Sequence, residues 1–306
     1  MKATEKIWMN GALVDWADAK VHVGAHALHY GSGVFEGIRC YETPRGPAVF
    51  RLRDHLQRLH NSARLLSMEI PYTVEELGTA TRELVRTNGL ASCYIRPIAF
   101  HGYGGLNVAP AENSVETVIM SWPWGAYLGD GSLQNGITAK ISTWKRIGPN
   151  VIPHAAKATG IYLNSMLATT EARRGGYEEA ILLTEEGLVA DGPGENVFVV
   201  KDGIVRTPSL STSILPGVTR DSVFAIARSL GYAVEEARLI RTDLYLADEV
   251  FMTGTAAEVT PVRAVDDVEI GVGPVTRLIQ STYLAAVTGA GDRWASWRDH
   301  VVEGAG

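Results

Sequence analysis

Two short runs of alternating hydrophobic and polar residues open the chain, 6–9 (KIWM) and 12–16 (ALVDW), on either side of Asn10 and Gly11. An Asn-Gly pair between two such runs is the sequence pattern of a tight β-hairpin. Asp202 and Gly203 divide the apolar segment 197–208 in the same way. Residues 91–102 and 115–124 also have the composition of strands. The sequence therefore predicts β-structure in both halves of the chain.

Apolar residues at helical spacing predict helices between these strands. The predicted helices are 55–68 with Asp54 as its N-cap, 74–89 ending at Asn88 and Gly89, one capped by Thr219, and a last one from Pro274 to Gly289. Proline at the first helical position and glycine just past the last are typical of helix ends. No sequence window approaches the apolar length of a membrane span.

The segment 154–174 (HAAKATGIYLNSMLATTEARR) contains one lysine, Lys157, which lies between alanines ahead of residues at helical spacing. Lys157 is therefore expected to precede or open a helix. An ammonium group desolvated there would have a lowered pKa, which an amine needs to form a Schiff base with a carbonyl at neutral pH. The competing interpretation is a lysine whose stem packs while its head reaches water. This segment alone favours the second interpretation, because lysines keep water contact more often than they catalyse.

The composition is that of an ordinary globular protein. The 306 residues are 46% hydrophobic and 20% charged and suffice for two domains. A net charge of −6 argues against nucleic acid as a main partner, because phosphate binding requires a basic face. Cys40 and Cys93 form no CxxC pair, so we expect reduced thiols in the core. The N-terminus has no apolar leader, which favours the cytoplasm.

Glycines and turn formers indicate where another group could approach the backbone. Gly31, Gly33 and Gly37 interrupt the aromatic segment 21–42, and glycines in such a segment often mark a close approach. The loop 102–113 could cover a pocket. Residues 123–132 (PWGAYLGDGS) combine turn formers with aromatic residues, so we expect a linker there between domains 1–122 and 133–306.

The same sequence contains histidines and helix ends that bear on metal and anion binding. His22, His26 and His29 match no recognised zinc spacing, so no metal is expected. The backbone N–H groups of Val218 and Thr219 lie at a predicted helix N-terminus, where the helix dipole favours an anion. A turn at 253–255 adds hydroxyl and amide donors. Each signal is weak alone, because most helix N-termini bind only water or a side chain.

Five features occur in register along the chain: Arg58, Lys157, DGPGEN (191–196), LPGVTRD (215–221) and FMTGTAAEVTP (251–261). In this order they resemble the class IV aminotransferases that use pyridoxal 5′-phosphate (PLP). Within that class, HALHYGSGVFEGIRCY, YIRP, PWGAYLG and EVFMTGTAAEVTPVR are most similar to the bacterial branched-chain amino-acid aminotransferases. The resemblance covers nearly the whole chain. It implies a two-domain α/β (α+β) enzyme of fold type IV, like D-amino acid aminotransferase, with the cofactor at the domain interface.

The resemblance also implies the cofactor residues. Lys157 would bind PLP covalently and then move the proton of the substrate Cα. Tyr162 would bind the pyridine 3′-oxygen. The phosphate would meet the Arg58 guanidinium, the Val218 and Thr219 amides and the Thr255 hydroxyl.

One position departs from the family pattern. The carboxylate that faces the pyridine nitrogen is normally a glutamate before Gly192, and here it is Asp191. Asp191 still supplies the negative charge that keeps this nitrogen protonated, but its reach is shorter by one methylene. Glu195 is the alternative carboxylate, expected rather to orient its neighbours, and Leu215 completes the implied cofactor set.

The implied substrate pocket is apolar and is formed across subunits. Its side-chain wall would consist of Phe35, Gly37, Tyr30, Tyr127, Trp124 and Tyr162, with Val108 of the partner subunit. The α-carboxylate would meet the Thr255 and Ala256 amides and Tyr94. Arg96 would pair with the distal carboxylate of 2-oxoglutarate, with Arg39 as a second cation near this face. The alternative is that Arg96 and Arg39 pair with acids in the core.

The expected reaction moves the amino group of leucine, isoleucine or valine to 2-oxoglutarate in two half-reactions, giving a branched 2-oxo acid and L-glutamate. A pocket formed across subunits implies a homodimer or a multiple of dimers, with no nucleic-acid or membrane partner. Three alternatives remain open. They are a transaminase for D-amino acids or (R)-amines, a PLP lyase that acts on aminodeoxychorismate, and a non-enzymatic PLP-binding scaffold, whose expected mark is a lost lysine.

Overall fold

The computed structural model describes residues 1–110, 112–125, 128–129 and 131–301. The chain forms two compact units. The first comprises the described residues of Met1–Gly125, Ala156–Gly160 and Ala286–Gly306, and the second those of Ala126–Ala155 and Ile161–Ala285. Two later segments thus belong to the first unit, which a single division at 123–132 does not anticipate.

The elements follow one another as a mixture of strands and helices. The strands are β1 Lys6–Met9, β2 Ala12–Asp15, β3 Gly33–Phe35, β4 Ile38–Tyr41, β5 Ala48–Phe50, β6 Cys93–His101, β7 Val115–Trp122, β8 Ile137–Lys145, β9 Glu179–Leu183, β10 Asn196–Lys201, β11 Ile204–Pro208, β12 Val234–Ala237, β13 Glu249–Gly254, β14 Glu258–Val265, β15 Val268–Glu269 and β16 Arg298–His300. The α-helices are α1 His26–Tyr30, α2 Leu52–Leu65, α3 Val74–Thr87, α4 Ser132–Asn135, α5 Tyr162–Arg174, α6 Val218–Ser229, α7 Arg241–Tyr245 and α8 Pro274–Thr288.

The sheet of the first unit has the order β16-β5-β4-β6-β7-β1-β2, and β3 also pairs with β6. Its strand pairs are antiparallel. The predicted hairpin of β1 and β2 is confirmed, because Asn10 and Gly11 have φ of 49° and 94° in the turn. Since β3 and β4 both pair with β6, the two residues between them, Glu36 and Gly37, are fixed at one point along β6.

Helices α2 and α3 bury their apolar faces in one hydrophobic core with this sheet. Leu56 and Leu59 of α2 are fully buried in a cluster that includes Leu77, Leu84 and Ile95. Both helices were predicted, and a capping box of Thr73 and Glu76 starts α3. The prediction that Asp54 caps α2 is wrong.

The N-cap of α2 is Arg51, which adopts a left-handed backbone conformation with φ 51°. Asp54 lies in the first turn instead, where its carboxylate pairs with the Arg51 guanidinium. A carboxylate in the first turn complements the helix dipole, so the acidic residue still supports this helix end.

The sheet of the second unit has the order β12-β11-β10-β13-β14-β8-β9, and β15 pairs with β14. It mixes antiparallel pairs with parallel ones at β11–β12, β14–β8 and β8–β9. The predicted turn at Asp202 and Gly203 joins β10 to β11, and Pro274 and Gly289 bound α8 as predicted. Along the described ranges, no helix combines the length and the apolar character needed to cross a bilayer.

Candidate active site

The backbone of Lys157 is held from two sides within the first unit. Its N–H donates to the Ser62 hydroxyl of α2 at 3.0 Å, and its carbonyl accepts from the Phe35 N–H at 3.0 Å. Its ammonium nitrogen lies 5.0 Å from the centre of the Phe35 ring. Helix α5 begins five residues later at Tyr162, which confirms that Lys157 precedes a helix. The amine is therefore attached to a fixed backbone beside an aromatic ring.

Arg58 of α2 forms a two-point ion pair with Glu36. The Nε donates to Oε1 at 2.7 Å and Nη2 to Oε2 at 2.8 Å. The His55 Nδ1 lies 2.7 Å from the same Oε2, and the Glu36 side chain is completely buried. Burial alone would raise the pKa of Glu36, but Arg58 and His55 hold that pKa well below its usual range. Glu36 is therefore ionised.

Arg96 and Tyr94 share one face of β6, as predicted from their spacing. The Arg96 Nη2 donates to the Tyr94 hydroxyl at 3.2 Å, and the guanidinium carbon lies 4.6 Å from the centre of the Phe35 ring. The Arg96 Nε is buried without a hydrogen-bond partner. In the part of the chain that the structure describes, no carboxylate forms an ion pair with Arg96. For Arg96, the alternative interpretation that it pairs with an acid in the core is therefore not supported.

Gly37 and Tyr94 approach each other so closely that a side chain at position 37 would overlap the tyrosine. A Cβ built on Gly37 would lie 2.0 Å from the Tyr94 Oη. The Tyr94 ring also packs against Trp122 and Trp124, with ring centres 5.1 and 4.4 Å away. Because Gly37 has no side chain, Tyr94 has room to lie beside it while packing against the two tryptophans. This is the close approach that the glycine pattern predicted.

The other implied pocket residues of the first unit lie nearer the surface. The Arg39 Nη2 donates to the Gly125 carbonyl at 3.0 Å, and Arg39 lies opposite Tyr94 in the β4–β6 pair. The Tyr30 hydroxyl donates to the Leu106 carbonyl at 2.8 Å. Val108 is 81% exposed in the loop after β6. Tyr127 lies outside the described residues.

In the second unit, Asp191 is paired with Arg146 at the end of β8. The guanidinium Nε and Nη2 lie 2.7 and 2.6 Å from Asp191 Oδ1, and both side chains are buried. Arg146 Nη2 also donates to the Gly192 carbonyl at 2.6 Å, and Nη1 to the Ser165 hydroxyl at 3.2 Å. These contacts fix the carboxylate that replaces the glutamate of the family pattern. No sequence motif pointed to Arg146.

Asn196 connects the DGPGEN segment to the turn before α6. Its Nδ2 donates to the Leu215 carbonyl at 3.0 Å, and a Cβ built on Gly217 would lie 2.1 Å from its Oδ1. The N-cap of α6 is Gly217, so the prediction of Thr219 as the cap is wrong. Thr219 is the second residue of the helix and is buried, after Val218. Because the N-cap residue is a glycine, no side chain of this residue covers the first backbone N–H groups of α6.

The remaining predicted residues of the second unit lie near this turn or start α5. Asn196 of β10 pairs with Thr253 of β13, and Thr255 and Ala256 form the turn that follows β13. Glu195 is buried and accepts the Gly194 N–H at 3.0 Å. Tyr162 is the first residue of α5. The described chain thus brings the DGPGEN, LPGVTRD and TGT segments together within one unit.

The three histidines of the segment 21–42 bind protein groups. His26 lies 2.7 Å from the Ser32 hydroxyl and 2.9 Å from the Asn107 carbonyl. The His29 Nε2 lies 2.9 Å from the Val23 carbonyl, and the His22 Nδ1 accepts the Gly24 N–H. Among the described residues, no group of three or more His, Cys, Asp or Glu side chains could hold a metal ion.

The fold, together with Lys157 and the DGPGEN, LPGVTRD and TGT segments, defines a class of enzymes. Comparison with known families identifies this class. The profile of the family described as amino-transferase class IV matches residues 33–265. This chain belongs to that family. The class inferred from the five motifs is therefore confirmed.

Individual relatives narrow the similarity further. A branched-chain-amino-acid aminotransferase of Escherichia coli (strain K12) is 51% identical over 98% of this chain and 98% of its own. The crystal structure of an E. coli branched-chain amino acid aminotransferase has a TM-score of 0.96 at 51% identity, covering 98% of this chain and 100% of that one. The branched-chain amino acid aminotransferase from Thermobaculum terrenum in its PLP form has a TM-score of 0.92 at 37% identity, covering 98% and 99%. The predicted mixed α/β fold and the resemblance to branched-chain enzymes are confirmed.

Proposed function

We propose that this protein transfers the amino group of branched-chain L-amino acids to 2-oxoglutarate with PLP as its cofactor. The similarity to branched-chain aminotransferases over nearly the whole chain supports the reaction class. The single observation that carries the choice of substrates is Arg96, a cation with a buried Nε among aromatic side chains. A pocket of this kind accepts an apolar side chain in one half-reaction and a second carboxylate in the other.

The residues present fit PLP. Lys157 supplies an amine on a fixed backbone, and Arg58 supplies a guanidinium whose orientation Glu36 fixes. Because Gly217 places no side chain over the first turn of α6, the Val218 and Thr219 amides are suited to an anion. The phosphate would be held by the Arg58 guanidinium, these two amides and the Thr255 hydroxyl. Tyr162 would bind the 3′-oxygen, and Leu215 would line the site.

Asp191 would face the pyridine nitrogen and keep it protonated, because a carboxylate favours the charged form of a nearby base. When bound, PLP supplies an electron sink for negative charge at the substrate Cα. Lys157 would hold the cofactor and, once the substrate displaces its amine, carry the proton from Cα. Glu195, which binds the Gly194 N–H, would orient the turn around Asp191.

The substrate would be oriented by its carboxylates. The Thr255 and Ala256 amides and the Tyr94 hydroxyl would bind the α-carboxylate that every substrate carries. The side-chain pocket would be lined by Phe35, Gly37, Tyr30, Trp124 and Tyr162. Arg96, with Arg39 on the neighbouring strand, would meet the distal carboxylate of 2-oxoglutarate, which an apolar lining alone would leave unpaired at a cost of several kcal/mol.

A dimer is also part of the proposal. Large apolar side chains are exposed on the first unit around the loop after β6, among them Val23, Leu28, Tyr103 and Val108, which are 66–81% exposed. His22 stacks edge-on against Tyr103, and Tyr30 binds the Leu106 carbonyl, so residues 22–30 lie against this loop. Exposed apolar patches of this kind mark interaction sites. A second copy of the chain would cover this surface and contribute Val108. Light scattering that gives a monomer mass would contradict this.

The function is tested by the absorbance spectrum of the protein with PLP, recorded before and after adding L-leucine, D-alanine or an (R)-amine. We expect only L-leucine to convert the visible absorbance of bound PLP to that of pyridoxamine phosphate, and 2-oxoglutarate to restore it. Conversion by D-alanine or the amine would overturn the substrate assignment. Turnover of aminodeoxychorismate without a 2-oxo acid would indicate a lyase, and a spectrum that never changes would favour a non-enzymatic binding protein.

A further inference from the structure

A completely buried carboxylate, Glu36, binds the arginine that would hold the cofactor phosphate. Its Oε1 accepts the Arg58 Nε, and its Oε2 accepts Arg58 Nη2, contacts the His55 Nδ1 and lies 3.3 Å from the Gly37 N–H. A carboxylate without protons can accept all of these bonds. Neither Glu36 nor His55 is among the residues assigned above to the cofactor or the substrate.

The geometry of the pair determines where the guanidinium can donate. An arginine bound through both Nε and Nη2 has its plane fixed by two parallel hydrogen bonds. Without Glu36, the long side chain of Arg58 could point in many directions, and ordering it on binding would cost rotamer entropy. Glu36 sets this orientation in the folded protein, before any anion arrives.

His55 supports the same orientation without adding charge. Burial lowers the pKa of His55 and outweighs the opposing effect of Glu36, so the imidazole is neutral near pH 7. A neutral imidazole has one N–H, and its contact with the Glu36 Oε2 assigns that proton to Nδ1. His55 thus donates to the carboxylate while Arg58 remains the cation of the group.

One face of α2 connects this group to the lysine. His55, Arg58 and Ser62 are spaced by three and four residues, so they lie on the same side of the helix. Ser62 accepts the Lys157 N–H at 3.0 Å. The orientation of Arg58 and the backbone position of Lys157 are therefore both set by the same rigid element.

We infer that Glu36 and His55 are positioning residues that orient the Arg58 guanidinium for the phosphate of PLP, an inference that rests on the proposed function. Glu36 also has an effect that opposes phosphate binding, because its negative charge repels the phosphate dianion. A pure repulsion would make Glu36 unfavourable for binding, whereas orientation makes it favourable. The sign of the change on removing its charge therefore decides between them.

The test compares the binding of PLP and of pyridoxal to the apoprotein of full length. Pyridoxal lacks the phosphate but keeps the aldehyde that the Lys157 amine recognises. For Glu36→Gln, which keeps the size but turns an N–H donor toward other donors, we expect Kd for PLP to rise about tenfold or more, equivalent to about 1.4 kcal/mol. The Kd for pyridoxal is expected to stay near that of the parent protein.

Two variants at position 55 provide a matched pair that leaves Glu36 in place. In His55→Asn the side-chain amide can replace the Nδ1 donor, whereas His55→Leu has no donor. We expect His55→Leu to weaken PLP binding severalfold and His55→Asn to restore most of it. If Glu36→Gln does not fold, as judged by circular dichroism, this pair alone decides the question.

Equal weakening of PLP and pyridoxal binding would overturn the inference, because Glu36 would then only support the fold. Unchanged or tighter PLP binding by Glu36→Gln, or equal affinities for the two His55 variants, would also overturn it. These outcomes are distinct from a failure of the proposed function. In that case the parent protein itself would bind no PLP, or would bind PLP and not react with L-leucine.

Discussion

Arg146 and Asp191 form a buried ion pair in the second unit, with the guanidinium Nε and Nη2 both within 2.7 Å of Asp191 Oδ1. The two residues are 45 positions apart in the sequence. Desolvating both charges is costly, and the pair persists because the arginine has further partners in Gly192 and Ser165. The carboxylate proposed to face the pyridine nitrogen is thus fixed by an arginine rather than left to rotate.

Asp191→Asn should therefore affect both catalysis and stability. The amide cannot keep the pyridine nitrogen protonated, and we expect kcat/KM for L-leucine to fall on the order of 10²-fold, about 2.7 kcal/mol. Loss of the charge also leaves Arg146 buried without its counter-ion, which costs about 3–5 kcal/mol of unfolding free energy. Steady-state kinetics and urea unfolding measure the two effects. Glu195→Gln is the control and should do less, and equal kinetic effects of the two variants would contradict the assignment.

Arg96→Met should separate the two half-reactions. Loss of a charge-assisted hydrogen bond to a carboxylate costs about 1.5–3 kcal/mol, so kcat/KM for 2-oxoglutarate should fall by one to two orders of magnitude. The half-reaction with L-leucine has no distal carboxylate and should change little. Single-turnover spectra measure each half separately. A loss of the same size in both halves would show that Arg96 supports the pocket and does not select the acceptor.

Gly37→Ala should displace Tyr94. The added methyl carbon would lie 2.0 Å from the tyrosine oxygen, far inside contact distance. We expect a higher KM for all substrates, because every substrate has the α-carboxylate that Tyr94 is proposed to bind. Tyr94→Phe supplies the control background, since without the oxygen the nearest ring atom would be 2.9 Å away. The alanine substitution should cost less in that background, and strictly additive effects would contradict a direct clash.

Glu179→Gln should stabilise the protein at high pH. Glu179 is buried at the start of β9, its Oε2 has no hydrogen-bond partner, and burial raises its pKa even though Arg173 and hydrogen bonds from Thr169 and Ala180 oppose this. When the pKa of a carboxyl group is higher in the folded than in the unfolded state, the protein loses stability as pH rises through the folded-state pKa. The glutamine variant has no such loss.

The unfolding free energy of Glu179→Gln should thus exceed that of the parent by about 1–3 kcal/mol at pH 8 and by less at pH 5. Urea unfolding at both pH values provides the measurement. Glu178→Gln is the neighbouring control, because Glu178 pairs with Arg263 at 3.0 Å on the surface. A difference that does not change with pH would show that Glu179 is not the titrating group.

Local patterns predicted the regular elements well, because hairpin turns and amphipathic helices depend on nearby residues. The turns at Asn10 and Asp202, the extent of α3 and both ends of α8 follow from the sequence alone. The N-caps of α2 and α6 did not, because a cap depends on backbone conformation that distant contacts determine. Asp54 and Thr219 had suitable side chains, but the chain enters each helix through Arg51 or Gly217.

The charged residues of the candidate site were predictable only in part. Arg58, Lys157 and Asp191 were found through family motifs, whereas their partners Glu36 and Arg146 were not. A buried charge requires a counter-charge, but the sequence does not tell which one, since Glu36 and Arg58 are 22 residues apart. The sequence did contain one indication of such a pair. Glu36 lies in the apolar segment 33–41, where burying an unpaired carboxylate would be strongly destabilising.

One of the two edge strands of the first sheet follows the whole second unit in the sequence. β16, Arg298–His300, pairs with β5, Ala48–Phe50, and the segment that contains Lys157 also belongs to this unit. During synthesis, the ribosome therefore produces the second unit before the first sheet can acquire this strand. Until then β5 presents an unpaired edge, which is the kind of surface that templates aggregation. The first sheet is therefore complete only after the second unit has been translated.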